Sequence, residues 1–292
     1  MKQVLLVVII SLIAFASEAN LDSFCATKKG DTGHYKSGDN YYIFKGPFLY
    51  KFEEDQIRLI FSKYEIRSVK EYNGKLYILT PDYVFVHSLN DYEFITSFPT
   101  SNQNIVKKHQ TAQDLTIMDD KLFIAHGSLG LIKIDLAAYN IESIHNFDLP
   151  HDPSQVSTAT GIDNDGEKLF VMLDNVTYNF STKKRAFEGL VILDNNMNQQ
   201  KVISIRQSRE ALHMPKAVIH DGYLVSKNIQ NLYFYKISDF GKAKTLWPKR
   251  RLFDFAGDDL ASTPAIIDGK VYGCFNQYDG ISFKYFHREF KL

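Results

Sequence analysis

Val69-Lys70-Glu71-Tyr72-Asn73-Gly74-Lys75-Leu76-Tyr77-Ile78 reads as two short apolar strands joined at Asn-Gly. The two central residues of such a tight turn need positive φ, which asparagine and glycine tolerate, so the phrase predicts a β-hairpin. The same phrase returns along the chain. Residues 115–124 carry it around Asp119-Asp120, and residues 162–171 around Asp165-Gly166. Residues 217–225 carry it around Asp221-Gly222, and residues 265–272 around Asp268-Gly269. A weaker copy, residues 34–44, precedes them with the turn Ser37-Gly38-Asp39-Asn40.

The apolar residue that opens the second strand falls at Leu76, Leu122, Leu169, Leu224 and Val271, at intervals of roughly 46 to 55 residues. A third strand follows in each copy: 48–52, 83–86, 131–134, 190–193, 232–235 and 281–285. A fourth is predicted at 57–61, 94–98, 141–147, 201–205 and 242–247. Several short strands in a unit of this period resemble the blades of a β-propeller over nearly all of the chain. The resemblance implies an all-β fold of about six four-stranded blades. The last copy has only three clear strands, so the expectation is that residues 20–26 supply its missing outer strand and close the ring. Blades of specific families are not matched. The Trp-Asp ending of WD repeats and the paired glycines of kelch repeats are absent, and the one tryptophan, Trp247, cannot supply repeated tryptophan docking.

The amino terminus reads as a processing signal. Lys2 precedes a nearly continuous apolar run from Val4 to Phe15, and small residues follow at Ala14, Ala16, Ser17 and Ala19. The run is shorter than the ~20 residues of a membrane-spanning helix, so residues 1–19 are expected to be a cleaved signal peptide. The remainder, 20–292, is expected to be a single domain, exported to the periplasm or outside the cell and monomeric. In that compartment Cys25 and Cys274, the only two cysteines, are disulfide candidates, because ring closure would bring the chain ends together. Asn175 and Asn179 head glycosylation sequons in an inserted loop, usable only in a eukaryotic host.

Lysine plus arginine equals aspartate plus glutamate, 34 each, which argues against a nucleic-acid partner, since that needs a basic excess. No metal or cofactor motif stands out, and neither is expected. Asp163-Asn164-Asp165-Gly166-Glu167 resembles the start of a calcium loop but lacks the distal glutamate and is read as a hairpin turn. Candidate ligand contacts are the residues that open the inner strands and the loops before them: Arg67, Gln113, Asp114, His151, Asp152, His213, Lys216 and Asp258. Cations and anions alternate in this set, which suits a polar or anionic ligand better than a central calcium. The leading functional expectation is a non-enzymatic module that binds a protein, a glycan or a small polar ligand. The alternative is a propeller hydrolase or lactonase using the loop carboxylates and histidines.

Overall fold

The computed structural model describes residues 32–53, 56–102, 111–127, 129–147, 158–174, 189–205, 217–220, 222–227, 232–240, 245–246, 250–252, 258–260, 262–263, 265–267, 270–278 and 283–291. It divides into two compact units, Met1–Ile66 with Ala256–Leu292, and Arg67–Phe255.

In the first unit, β1 (Thr32–Ser37), β2 (Asn40–Lys45), β3 (Phe48–Glu53) and β4 (Gln56–Phe61) form an antiparallel meander. The second unit repeats that pattern. Its first blade is β5 (Ser68–Tyr72), β6 (Lys75–Leu79), β7 (Tyr83–Ser88) and β8 (Phe94–Pro99). The next is β9 (Asp114–Met118), β10 (Lys121–Ala125), β11 (Leu131–Asp135) and β12 (Asn140–His145). The third is β13 (Thr158–Asn164), β14 (Leu169–Asp174), β15 (Gly189–Leu193) and β16 (Gln199–Ile205). The fourth has β17 (Ala217–His220), β18 (Tyr223–Lys227) and β19 (Leu232–Lys236), with a 3₁₀ turn Ile237–Asp239 after them.

The outer strand of this fourth blade is not the one expected. Of the stretch expected to form it, 242–247, the described residues are β20 (Thr245–Leu246), which adds in parallel to β16 of the preceding blade. The outer strand is β21 (Arg250–Leu252), beyond the stretch expected to form it.

The last repeat corrects the blade count. β22 (Asp258–Leu260), β23 (Ser262–Thr263), β24 (Ala265–Ile267), β25 (Lys270–Tyr278) and β26 (Phe283–Lys291) do not build an up-and-down blade. The β24–β25 hairpin forms in the expected register, Ile266 opposite Val271. Both later strands then run on to nine residues, and β26 pairs with β25 along its whole length. That leaves β22 and β24 to share the other edge of β25, so this four-stranded sheet branches at β25 and lacks the up-and-down order of a blade. Meanwhile β23 pairs in parallel with β1. The chain therefore has five four-stranded antiparallel blades, not six. The segment expected to close the ring, 20–26, lies outside the described residues, as does Cys25; Cys274 sits in β25.

Packing explains why the middle strands read as unbroken apolar runs. Alternate side chains of a strand point to opposite faces, and here both faces are covered. Leu122 and Ile124 of β10 join Tyr77, Leu79, Val84, Val86 and Phe98 of the preceding blade in one core. Phe123 and Ala125, between them in sequence, face Ile162, Leu169, Val171 and Val191 of the following blade. The pattern repeats one blade on, where Phe170 and Met172 of β14 pack with Leu224 and Tyr235. The blades built around β10 and β14 are thus wedges with two dry faces.

The turns follow their chemistry. Asn73 and Gly74 have φ of 46° and 70°, and Asp119 and Asp120 have 53° and 57°, the two-residue geometry that matches strand twist. Gly130 is a different case: at φ 86°, a Cβ would stand 2.2 Å from the His145 carbonyl oxygen. In each of the four longer blades the pairing of third and outer strands contains an irregularity, as at Val86/His87 and Lys133/Ile134, which bends the outer strand.

Candidate functional site

The inner strands of the unit Arg67–Phe255 begin in equivalent ways. The Arg67 N–H donates to the Leu79 carbonyl at 2.8 Å, and the Gln113 N–H donates to the Ala125 carbonyl at 2.8 Å. Both side chains are half-buried, and so mark the same point at the mouth of neighbouring blades. The Gln113 amide also donates to the carbonyl and hydroxyl oxygens of Thr111, at 3.1 and 2.9 Å, which fixes its orientation. Thr160, at the corresponding place in the next blade, is buried. Two of the sequence-derived candidates, Arg67 and Gln113, thus stand at equivalent positions, just before the inner strands of neighbouring blades.

One residue deeper, the candidates stop resembling a ligand site. Asp114 is buried; one carboxylate oxygen accepts the Leu115 N–H at 3.0 Å and the other the Ile162 N–H of β13 at 3.3 Å. Its charge is spent on tying one inner strand to the next. His151, Asp152, His213 and Lys216 lie outside the described residues, as do the sequon residues Asn175 and Asn179. Asp258 lies in β22, in the other unit.

Deeper still is an arrangement that sequence reasoning missed. Asp163 is buried in β13, and its carboxylate is met from three other inner strands. Lys70 of β5 approaches Oδ1 at 3.3 Å, Thr116 of β9 donates its hydroxyl to the same oxygen at 3.3 Å, and the Ile219 N–H of β17 donates to Oδ2 at 2.9 Å. Asn164 completes the network, its amide donating to the Thr116 hydroxyl at 2.6 Å and the Ile117 carbonyl at 3.1 Å. A buried carboxylate is tolerable when donors surround it, and here they come from the three other blades of this unit. The signal was present in the sequence. Lys70, Thr116 and Asp163 each stand six residues before the aligned leucine, a basic, a hydroxyl and an acidic residue in one column. The expected turn does form just beyond, where Asp165 accepts the N–H groups of Glu167 and Lys168 at 3.0 and 2.8 Å.

A further missed group is His126, between β10 and β11. It is fully buried, with Nε2 3.1 Å from the Thr100 hydroxyl. Desolvation pushes its pKa down to about 4, against the opposing pull of its own backbone carbonyl and of the Asp82 carboxylate. Burial also lowers the pKa of His145 and of Lys45. Among the described residues no group of three histidine, cysteine or acidic side chains is placed to hold a metal ion. Among them, too, no helix is long and apolar enough to cross a membrane.

No protein-family model matches the chain, and no curated protein matches it by sequence. Solved structures do match it by fold. The extracellular domain of BT4673 from B. thetaiotaomicron, assigned to a one-component system, superposes with a TM-score of 0.57 at 10% identity, over 88% of this chain and 33% of that one. The WD40 domain of Neurospora crassa Pan2 superposes with a TM-score of 0.54 at 8% identity, over 82% of this chain and 70% of that one. This chain therefore spans about a third of the BT4673 chain it matches. At such identities the likeness carries the fold alone, and that fold is the β-propeller, read here with five four-stranded blades.

Proposed function

We propose that this chain is an exported, non-enzymatic β-propeller that binds a polar or anionic ligand at the mouth of its inner strands, through Arg67 and Gln113. The observation that supports this reading is the state of the carboxylates. Catalysis by a hydrolase of this shape requires acidic groups that are free to hold a cation, move a proton or attack a substrate. Asp114 and Asp163 are instead filled with donors from neighbouring strands and serve as fasteners. Among the described residues, the strand openings offer a guanidinium and a carboxamide, groups suited to recognising carboxylates and hydroxyls. Export rests on the amino-terminal sequence, and a fold neighbour that is itself an extracellular domain is compatible with it.

The test is a calorimetric screen of the secreted chain against neutral sugars, uronic acids and small dicarboxylates, repeated with Arg67→Ala and Gln113→Ala. The reading expects binding without turnover, weakened at least tenfold by Arg67→Ala, a loss of about 1.4 kcal/mol. Turnover of an ester or lactone substrate that is abolished by Asp114→Asn would replace it with the hydrolase reading. Binding that is indifferent to Arg67 would move the site elsewhere.

A further inference from the structure

His126 joins two blades. It ends the β10 side of the β10–β11 loop, while its partner Thr100 directly follows β8 of the preceding blade. Thr100 is itself anchored, its N–H donating to the Asp82 carbonyl at 2.9 Å and its hydroxyl lying 3.4 Å from the Pro81 carbonyl. A hydroxyl has one proton to give, so the arrangement that uses every group runs one way. The His126 Nε2–H donates to the Thr100 oxygen, and the Thr100 hydroxyl donates to Pro81. Nδ1 is then an unprotonated nitrogen, buried and without a hydrogen-bond partner. From the other side the same loop is tied to β13, where Gly127 and Ala159 exchange backbone hydrogen bonds at 3.0 and 2.9 Å.

We propose that His126 is an acid-sensitive fastener: its neutral imidazole locks the β10–β11 loop to the end of β8, and its protonation releases that loop. A second ring proton would have to sit on Nδ1, which has no hydrogen-bond partner and only the pull of its own backbone carbonyl, and its charge would be cut off from water. The elements around the loop offer little compensation. From the β6–β7 connection the charged group is Asp82, which favours the imidazolium without contacting it. The end of β8 contributes Thr100 and Ser101, the start of β13 Thr158 and Thr160, and the residues before β9 Thr111 and Gln113, all uncharged; Asp114, opposite Ala125, has its carboxylate on the Leu115 and Ile162 N–H groups, and His145 stands opposite Leu131 at the far end of the loop. The proposal stands apart from the ligand reading, since it concerns how two blades are held.

The direction of the pH effect follows from linkage. An unfolded histidine titrates near 6.5, whereas the folded imidazole resists protonation down to about 4. Between these values the unfolded chain holds the proton and the folded chain does not, so stability falls as pH drops through that window. Above it and below it, His126 adds no slope. The full window corresponds to about a 300-fold loss in the folding equilibrium constant.

The test is denaturant unfolding of the full chain from pH 4 to pH 8, compared with His126→Gln, whose amide can still donate to Thr100. The other eight of the nine histidines are common to both chains and cancel. The expected result is a flatter acid limb for His126→Gln, gaining on the parent by about two orders of magnitude between pH 6.5 and pH 4. Parallel limbs would overturn the proposal. If the variant does not fold at pH 7.5, imidazole NMR of the parent decides: a ring neutral to about pH 4 supports the fastener, and a midpoint near 6.5 overturns it.

Discussion

Carboxylates tie neighbouring blades together at two levels of the unit Arg67–Phe255, and the levels differ in everything except chemistry. At the inner strands, Asp114 and Asp163 are buried and accept donors across blade boundaries. At the hairpin tips, Asp120 accepts from the Tyr72 hydroxyl at 3.0 Å and the Asn73 amide at 3.3 Å, and Asp119 from the Asn195 amide at 3.1 Å. These tip contacts also bridge blades, but in water. Desolvation makes the inner contacts obligatory, because a donor stripped of its acceptor there has no solvent to turn to. At the tips water replaces a lost partner. The comparison teaches that the contact pattern alone does not rank the fasteners; burial does.

Asp163→Ala is the strongest way to test that ranking. It strands the Ile219 N–H, the Thr116 hydroxyl and the Lys70 ammonium together. Lys70 is one quarter exposed and can turn to solvent, so most of the cost falls on the other two donors. A loss of about 3 kcal/mol is expected from urea unfolding. A loss below about 1 kcal/mol would mean that the hub is wet and the ranking wrong.

Asp114→Asn sharpens the same point at smaller scale. The carboxamide keeps one acceptor oxygen but turns an NH₂ toward a backbone N–H, either that of Leu115 or that of Ile162. The expected cost is about 1–2 kcal/mol, smaller than at Asp163 because fewer donors are stranded. Equal losses at the two sites would break the idea that donor count sets the scale.

How much of this was legible in the sequence follows the same division. Hairpins announced themselves, because Asn73-Gly74 and Leu122 to Ala125 carry local chemistry and a two-sided apolar pattern. The last repeat misled because its hairpin, around Asp268-Gly269, is as good as the others. What decides a blade there is the length of β25 and β26, which no turn residue encodes. Likewise β20 leaves its own blade for the edge of β16, a non-local choice written in no single segment. The candidate site was legible only as positions. Alignment put Arg67 and Gln113 just before the inner strands, where the structure has them, but Asp163 was absorbed into the turn that follows it, since its partners lie 47 to 93 residues away. His126 gave no signal at all, because a lone histidine after a strand looks the same whether buried or exposed.

The tip contacts supply the smallest effect and the cleanest contrast. Asp120→Ala removes a partner from Tyr72 and Asn73, both of which already meet solvent at this edge. The hydrogen bond to Asp120 raises the Tyr72 pKa, so the variant is expected to return that phenol toward its ordinary value. Ultraviolet titration of the tyrosines reads this directly, while the urea midpoint stays within scatter of the parent. That pairing separates the two levels in one protein: at the tip a contact is visible spectroscopically yet carries little stability. If Asp120→Ala instead destabilised as much as Asp114→Asn, the hairpin tips would be bearing load, and burial would no longer account for the order of the fasteners.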